Sequence, residues 1–209
     1  PGWIEGVLQA NAFIKSGMAK RCLVIGAETL SRVVDKHDRD SMIYSDGAGA
    51  SILEACDDNE GLLSYESATF AYDEANYLYF GNSFNKDLDS DVRYIKMHGR
   101  KIYEFALSQV PQAMKSCLDK SGIPIGDIKK VLIHQANEKM DEAIVHRFYK
   151  LYHQEMPDKV MPMSITLLGN SSVATIPTLF DLLVSDKIEG QKLHKGDVII
   201  FASVGAGMN

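Results

Sequence analysis

The sequence contains only three cysteines, and they stand far apart. Cys22, Cys56 and Cys117 are odd in number and lack the close spacing of a metal-binding motif. A reducing, cytoplasmic location fits this cysteine usage best. Cys22 and Cys117 lie in apolar surroundings typical of structural thiols, whereas Cys56 is followed by Asp57, whose charge disfavours a thiolate. None of the three therefore has the setting of a nucleophile.

The sequence also lacks an excess of positive charge and any long apolar run. A net charge of −6 gives no reason to expect nucleic acid as a partner. No apolar run reaches the roughly 18 residues that a membrane helix needs, so we expect no membrane partner either. The 209 residues are 45% hydrophobic and 24% charged, which is enough apolar material to bury a real core.

Hydrophobic periodicity predicts strands that alternate with helices. Such alternation is typical of α/β architecture with a largely parallel sheet. Pro111 is expected to kink or split the second helix, and the segment 71–95 reads as a long connection without a clear period. The predicted helices cover 2–16, 98–120, 137–151 and about 170–184. The predicted strands cover 22–27, 43–55, 62–70, 131–133 and 197–203, with the first buried on both faces and the third paired with the second.

The string Ile133-His134-Gln135-Ala136-Asn137 places a histidine at the end of an apolar strand. Ligand crevices of α/β sheets form where parallel strands end, and Asn137 suits the N-cap of the following helix. A lone histidine in this place is more often structural than catalytic, but the four-residue motif is more specific than the single residue. Five other histidines lie in polar or helical surroundings and are not expected to be catalytic; they are His37, His98, His146, His153 and His194.

Two further strings contain small residues in loops. Gly169-Asn170-Ser171-Ser172 precedes a helix, and on its own Gly-Asn is common in ordinary turns. Ser203-Val204-Gly205-Ala206-Gly207 follows the last predicted strand and could be no more than a glycine-rich loop. No Gly-Lys-Ser/Thr follows it, so a phosphate-binding loop is not indicated.

Together these strings resemble the His motif, the Asn motif and the final glycine-rich loop of thiolase-fold condensing enzymes, in the branch called β-ketoacyl-ACP synthase III. The resemblance covers essentially the whole sequence, including Asp46-Gly47-Ala48-Gly49-Ala50. It implies an α/β, thiolase-like fold with two related halves. We expect the end of the N-terminal half in 1–70, a connecting or insertion segment in 71–95 and the C-terminal half in 96–209.

The resemblance also implies a decarboxylating Claisen condensation of acyl-CoA with malonyl-ACP that starts fatty-acid synthesis. His134 and Asn170 would stabilise the enolate oxygen that forms as CO2 leaves. The backbone N–H of Ala206 would serve an oxyanion hole for the acyl-enzyme, with Gly205 and Gly207 permitting the turn. No metal or cofactor is implied. The implied partners are acyl-CoA, acyl carrier protein and a second copy of the chain in a homodimer.

The nucleophilic cysteine of the family is expected immediately before Pro1, because Pro1-Gly2-Trp3 matches the residues that directly follow it. A helix N-terminus there would lower the pKa of the thiol. On this basis we expect the sequence to be the C-terminal 60% or so of a longer enzyme, judged by the usual domain size.

Basic residues suggest where an acidic carrier protein could bind. Lys139 stands where relatives commonly carry an arginine used for acyl carrier protein, and Lys96, Arg100 and Lys101 form a second basic group. A solvated helix face is the alternative interpretation for Lys139, since lysine keeps the charge of arginine but not its planar fork.

Three other functions remain open at this point. The chain could belong to a related thiolase-fold condensing enzyme of secondary metabolism that uses longer acyl chains. It could be a non-catalytic thiolase-fold partner subunit, or a purely structural α/β fragment. The residue before Pro1 would discriminate between an enzyme and a non-catalytic partner.

Overall fold

A computed structural model describes residues 1–57, 60–88 and 91–209. Its helices are α1 Gly2–Lys15, α2 Gly99–Ser121, α3 Glu138–Lys150, α4 Ile165–Leu168 and α5 Thr175–Val184. Its strands are β1 Arg21–Thr29, β2 Asp46–Glu54, β3 Leu78–Gly81, β4 Tyr94–Met97, β5 Ile128–Ile133 and β6 Val198–Ala202. Short 3₁₀ turns include Arg39–Ile43, Ser172–Ala174 and Ala206–Met208. No helix in the described ranges is long and apolar enough to cross a membrane.

The strands form pairs, and two of the three pairs described are antiparallel. β1 runs antiparallel to β2, and β3 runs antiparallel to β4, whereas β5 and β6 are parallel. The prediction of a largely parallel sheet is therefore wrong for the first two pairs. The connection from β1 to β2 contains only 3₁₀ turns, and a parallel pair would need a longer crossover. The predicted strand at 62–70 is also wrong, because that segment is irregular and β2 pairs with β1.

The core of the C-terminal part is built on both faces of β5. Val131 and Ile133 pack into the cluster of α2 and α3 side chains, and Leu132 points the other way, against Leu179 and Leu183 of α5. Val131 and Leu132 are completely buried. A strand covered on both faces reads as a continuous apolar run, which is why this element was predictable. The same packing fixes the position at which β5 ends.

Helix α2 passes through Pro111 without a break, so the predicted split of this helix is wrong. Proline lacks the N–H that would bond to the carbonyl of Leu107, four residues earlier. The Arg147 guanidinium of α3 donates to that carbonyl instead, at 2.9 Å. A side chain from another helix thus satisfies the acceptor that proline leaves open.

Strand β1 is covered on one face, not on both as predicted. α1 packs on the inner face, where Trp3, Ala10 and Val24 are buried with Ile176. On the outer face Leu23 is 62% and Ile25 59% exposed. Only one layer of described chain lies against this sheet.

The segment 71–95 contains structure that periodicity did not reveal. Within its described part, β3 pairs with β4, which begins at Tyr94; residues 89 and 90 lie outside the described residues. Lys96 of β4 is buried and pairs with Asp35 at 2.6 Å and Asp38 at 3.1 Å, which ties the hairpin to the segment after β1. The burial of this lysine is tolerated because two carboxylates compensate its charge.

Candidate active site

His134 is the first residue after β5, and backbone hydrogen bonds fix it there. Its N–H donates to the Ala202 carbonyl of β6 at 2.8 Å. Asn137 caps α3, as predicted, by accepting a hydrogen bond from the Met140 N–H at 3.3 Å. The strand end and the helix start therefore hold the His134 loop from both sides.

Gln135 joins the His134 loop to the segment that leads to Asn170. Its side chain is fully buried. Nε2 donates to the Ile133 carbonyl at 3.0 Å, and Oε1 accepts from the N–H groups of Ser164 at 2.8 Å and Ile165 at 3.2 Å. Sequence reasoning treated Gln135 only as part of a motif. A buried amide that bonds backbone on two segments is a structural link between them.

Asn170 is 7% exposed and held by the chain just before β2. Its N–H donates to Ile43 O at 2.7 Å, and its carbonyl accepts from Ser45 N at 2.9 Å. Gly169 has φ +68° and ψ −168°, a conformation open essentially to glycine. The Asn170 Oδ1 accepts from the Ser172 N–H at 2.9 Å, so its Nδ2 is left as the donor of that amide.

Ser172 connects the two predicted side chains. It has a left-handed φ of +52°, and its N–H faces Asn170. The Thr175 Oγ1 lies 2.8 Å from the Ser172 carbonyl oxygen and 2.8 Å from His134 Nδ1, within hydrogen-bond reach of both. The structure thus connects His134 and Asn170 through Ser172 and Thr175. Sequence reasoning missed Thr175; its hydroxyl, within a string of small residues at a helix start, was the available signal.

Burial keeps the His134 imidazole neutral. Burial lowers the pKa of His134 to about 4. At neutral pH the ring therefore has one N–H and one bare nitrogen. Such a ring can act as a hydrogen-bond donor without adding a charge to the site.

Asp141 is a buried carboxyl beneath the His134 loop. It is 1% exposed, and neither oxygen has a hydrogen-bond partner among the described residues. Burial raises its pKa to about 8, although the N–H groups of Asn137 and Ala136 approach it and oppose the rise. This group was not singled out by sequence reasoning, because an acidic residue near a helix start is usually solvated.

The final loop lies against the first residue of α1. A Cβ on Gly205 would lie 2.3 Å from Pro1 Cδ, so this glycine permits a close approach. The left-handed residues of the turn are Gly207, with φ +74°, and Met208, with φ +50°, whereas Gly205 is extended. The Gly205 N–H donates to Asn209 O at 3.0 Å. The Ala206 N–H has no acceptor among the described residues, and Ala206 is exposed.

A narrow cavity adjoins these elements at Ser172 and Thr175, and neither His134 nor Asn170 lines it. It is lined by the start of α1, the Asn170 loop and the final loop; its lining includes Pro1, Ser172, Thr175 and Ser203. A broader depression of about 490 Å³ lies on the surface of α2 and contains none of these residues. The small cavity therefore adjoins the candidate site, whose two side chains are linked through Ser172 and Thr175.

The basic residues predicted to meet a carrier protein lie in different environments. Lys139 is exposed on the first turn of α3. Arg100 is exposed at the start of α2 and pairs with Glu104 at 2.8 Å. Lys96 is buried with its two carboxylates, so its assignment to this surface group is wrong.

Comparison with protein families gives two matches along the chain. Residues 1–70 match the family model described as 3-oxoacyl-[acyl-carrier-protein (ACP)] synthase III. Residues 118–209 match the model of the C-terminal part of the same enzyme. The two models therefore cover most of the chain in the order in which the motifs occur.

Curated relatives and solved structures agree with this match. The chain is 31% identical over 208 residues to β-ketoacyl-[acyl-carrier-protein] synthase III 1 of Bacillus cereus, and 32% identical over 216 residues to the synthase III of Prochlorococcus marinus. These alignments use 99% and 100% of this chain but only 60% and 61% of the relatives. The synthase III structure from Thermus thermophilus superposes with a TM-score of 0.86 at 28% identity, covering 100% of this chain and 62% of that one. The predicted α/β, thiolase-like fold is confirmed.

Proposed function

The chain belongs to the 3-oxoacyl-[acyl-carrier-protein] synthase III family, and from that premise we propose that the full-length protein condenses an acyl-CoA with malonyl-ACP to start fatty-acid synthesis. The observation that carries the proposal is the link through Ser172. It orients an imidazole and a side-chain amide from two distant segments, with the amide Nδ2 free to donate.

The decarboxylation step needs the two donors. Loss of CO2 from a malonyl thioester leaves an enolate, whose negative charge develops on the thioester oxygen. His134 Nε2–H and Asn170 Nδ2–H would donate to this oxygen; both groups are neutral and held in place before reaction, with Asn170 buried and His134 half-buried. The carbanion carbon would then attack the carbonyl carbon of the acyl-enzyme, and the C–S bond would break to give a β-ketoacyl-ACP and the free cysteine thiolate. The proposed chemistry requires no metal or cofactor.

The acylation step would use a cysteine immediately before Pro1. Acyl-CoA would transfer its acyl group to that thiol and release CoA. The position is supported by the close packing of Pro1 on Gly205, next to the Ala206 N–H. The Ala206 N–H, which has no acceptor in the described chain, would donate to the oxygen of the tetrahedral intermediate.

The organisation of the whole protein is part of the same proposal. We place the end of the N-terminal half in 1–70, the connecting segment in 71–95 and the C-terminal half in 96–209. The relatives' names include an acyl carrier protein, and Lys139 and Arg100 are the exposed cations proposed to meet it. A homodimer and a cytoplasmic location complete the proposal; the latter rests on three free thiols.

The test has two parts and uses the full-length protein. Incubation with acyl-CoAs of several lengths, followed by intact-mass measurement and peptide mapping, should place an acyl group on a cysteine next to Pro1. CO2 release from malonyl-ACP should then fall about 10²–10³-fold in His134→Ala and in Asn170→Ala. His194→Ala is the matched control, because that histidine is largely exposed and pairs with Asp197.

Each part has an outcome that would reject the proposal. Failure of every acyl-CoA to modify the protein would favour a non-catalytic partner subunit. Acylation followed by condensation only with long acyl chains would favour a related enzyme of secondary metabolism. Equal CO2 release by wild type and His134→Ala would remove His134 from the decarboxylation step.

A further inference from the structure

We propose that Thr175 is a positioning residue that sets the tautomer of His134. The inference rests on the proposed function, in which His134 must offer an Nε2–H to the enolate oxygen. A neutral imidazole has that proton only if Nδ1 is bare. The partner of Nδ1 therefore decides whether His134 can act as a donor.

The hydroxyl of Thr175 has one proton and two acceptors within reach. Its oxygen lies 2.8 Å from His134 Nδ1 and 2.8 Å from the carbonyl oxygen of Ser172. If the hydroxyl donates to Ser172, its oxygen can only accept from Nδ1–H, and Nε2 is bare. If it donates to Nδ1, then Nε2 carries the proton. The two arrangements predict opposite roles for Nε2.

The surroundings favour donation to Nδ1. The Ser172 carbonyl already accepts the backbone N–H of Thr175, so it keeps a partner when the hydroxyl turns away. Nδ1 has no other donor among the described residues. Thr175 is 3% exposed, so solvent does not readily replace it. The other arrangement would make Nε2 the acceptor of the ring, and no donor to Nε2 lies among the described residues.

Ser172 also orients the second donor, the side-chain amide of Asn170. The Ser172 N–H holds Asn170 Oδ1, which leaves Nδ2 facing outward from that bond. Ser172 and Thr175 together would thus give both His134 and Asn170 the donor form that an enolate requires. The left-handed backbone at Ser172 is the strained element that makes this arrangement possible.

The first experiment reads the tautomer directly. Nitrogen-15 NMR of full-length protein with labelled imidazole rings separates a protonated from a bare ring nitrogen, and His134→Gln identifies the His134 signals. We expect a proton on Nε2 and a bare Nδ1 at neutral pH. A proton on Nδ1 in the wild type would overturn the proposal.

The second experiment separates positioning from folding. Thr175→Val should lower CO2 release from malonyl-ACP about tenfold, since one hydrogen bond to the ring is lost, and the Nδ1-protonated form should become visible. Acylation by acyl-CoA should change less, because its proposed donor is the Ala206 N–H. Thr175→Ser should restore both the rate and the tautomer, and Thr178→Val, on the same helix, should leave both unchanged.

Two results would overturn the proposed positioning role of Thr175, and a third would bear only on the proposed condensing function. An unchanged tautomer ratio and rate in Thr175→Val would overturn the proposal. Equal losses in both steps, without recovery in Thr175→Ser, would indicate a purely structural role and also overturn it. A wild type that shows no chemistry would reject the proposed function, while the NMR result would still decide the tautomer.

Discussion

The His134 loop and the Asn170 loop serve one site but are built by different means. The His134 loop lies between a buried strand and a capped helix, so regular secondary structure holds it. The Asn170 loop depends on hydrogen bonds to residues 43 and 45 and on two left-handed residues, Gly169 and Ser172. The first arrangement is robust because several backbone hydrogen bonds between β5 and β6 hold the strand end in place. The second is specific because each bond reaches a different part of the chain.

The comparison also shows where each loop is weak. The His134 loop covers Asp141, a buried carboxyl without a partner among the described residues. The Asn170 loop has strained backbone, but the Asn170 amide oxygen accepts from the Ser172 N–H. The buried, unpaired carboxyl of Asp141 lowers the folding stability at the His134 loop, and dihedral strain lowers it at the Asn170 loop. Substitutions can therefore test the two costs separately.

Gln135→Leu should have the largest effect, because Gln135 bonds to both segments. The substitution leaves the buried N–H groups of Ser164 and Ile165 and the carbonyl of Ile133 without their partner. We expect a loss of about 4 kcal/mol in the free energy of unfolding of the full-length protein, measured with urea. Gln112→Leu, on the exposed side of α2, is the control and should change stability by less than about 0.5 kcal/mol. Equal values for the two variants would mean that Gln135 does not link the loops.

Asp141→Asn should stabilise the protein in a pH-dependent way. The folded-state pKa of Asp141 is about 8, above the usual value near 4, so the folded state holds a proton that the unfolded state loses. Its contribution to stability is present below pH 4 and is lost as the pH rises towards 8. The variant should thus match the wild type near pH 4 and exceed it by about 3 kcal/mol at pH 7. The measurement is urea unfolding across this range; parallel curves would show that Asp141 has a partner.

Gly169→Ala should have a smaller effect, confined to the Asn170 loop. Alanine rarely adopts the Gly169 dihedrals, and its Cβ would lie 3.1 Å from Ile43 O. We expect a loss of about 2 kcal/mol in unfolding free energy and a lower rate of CO2 release. Gly99→Ala, at the first turn of α2 with open space around its Cβ, should be neutral or slightly stabilising. A neutral Gly169→Ala would show that the Asn170 loop adapts more easily than its backbone suggests.

The parts that sequence reasoning predicted correctly are those governed by local pattern. The helix at Glu138–Lys150 with its Asn137 cap and the buried strand before His134 follow from periodicity and side-chain chemistry. The strand pairing at Leu78–Gly81 and the one-sided cover of β1 were missed. Those features depend on which distant segment supplies a partner.

The chemistry of the candidate site divides in the same way. The sequence by itself determined the residue types, namely an imidazole, an amide and a glycine-rich loop. Each of them lies in a short motif that also specifies the local turn. Only the tertiary structure decided that Ser172 joins His134 to Asn170, that Thr175 faces Nδ1 and that Lys96 is buried away from the surface. Hydrogen bonds between distant segments depend on how complete elements pack, and no local pattern specifies that packing.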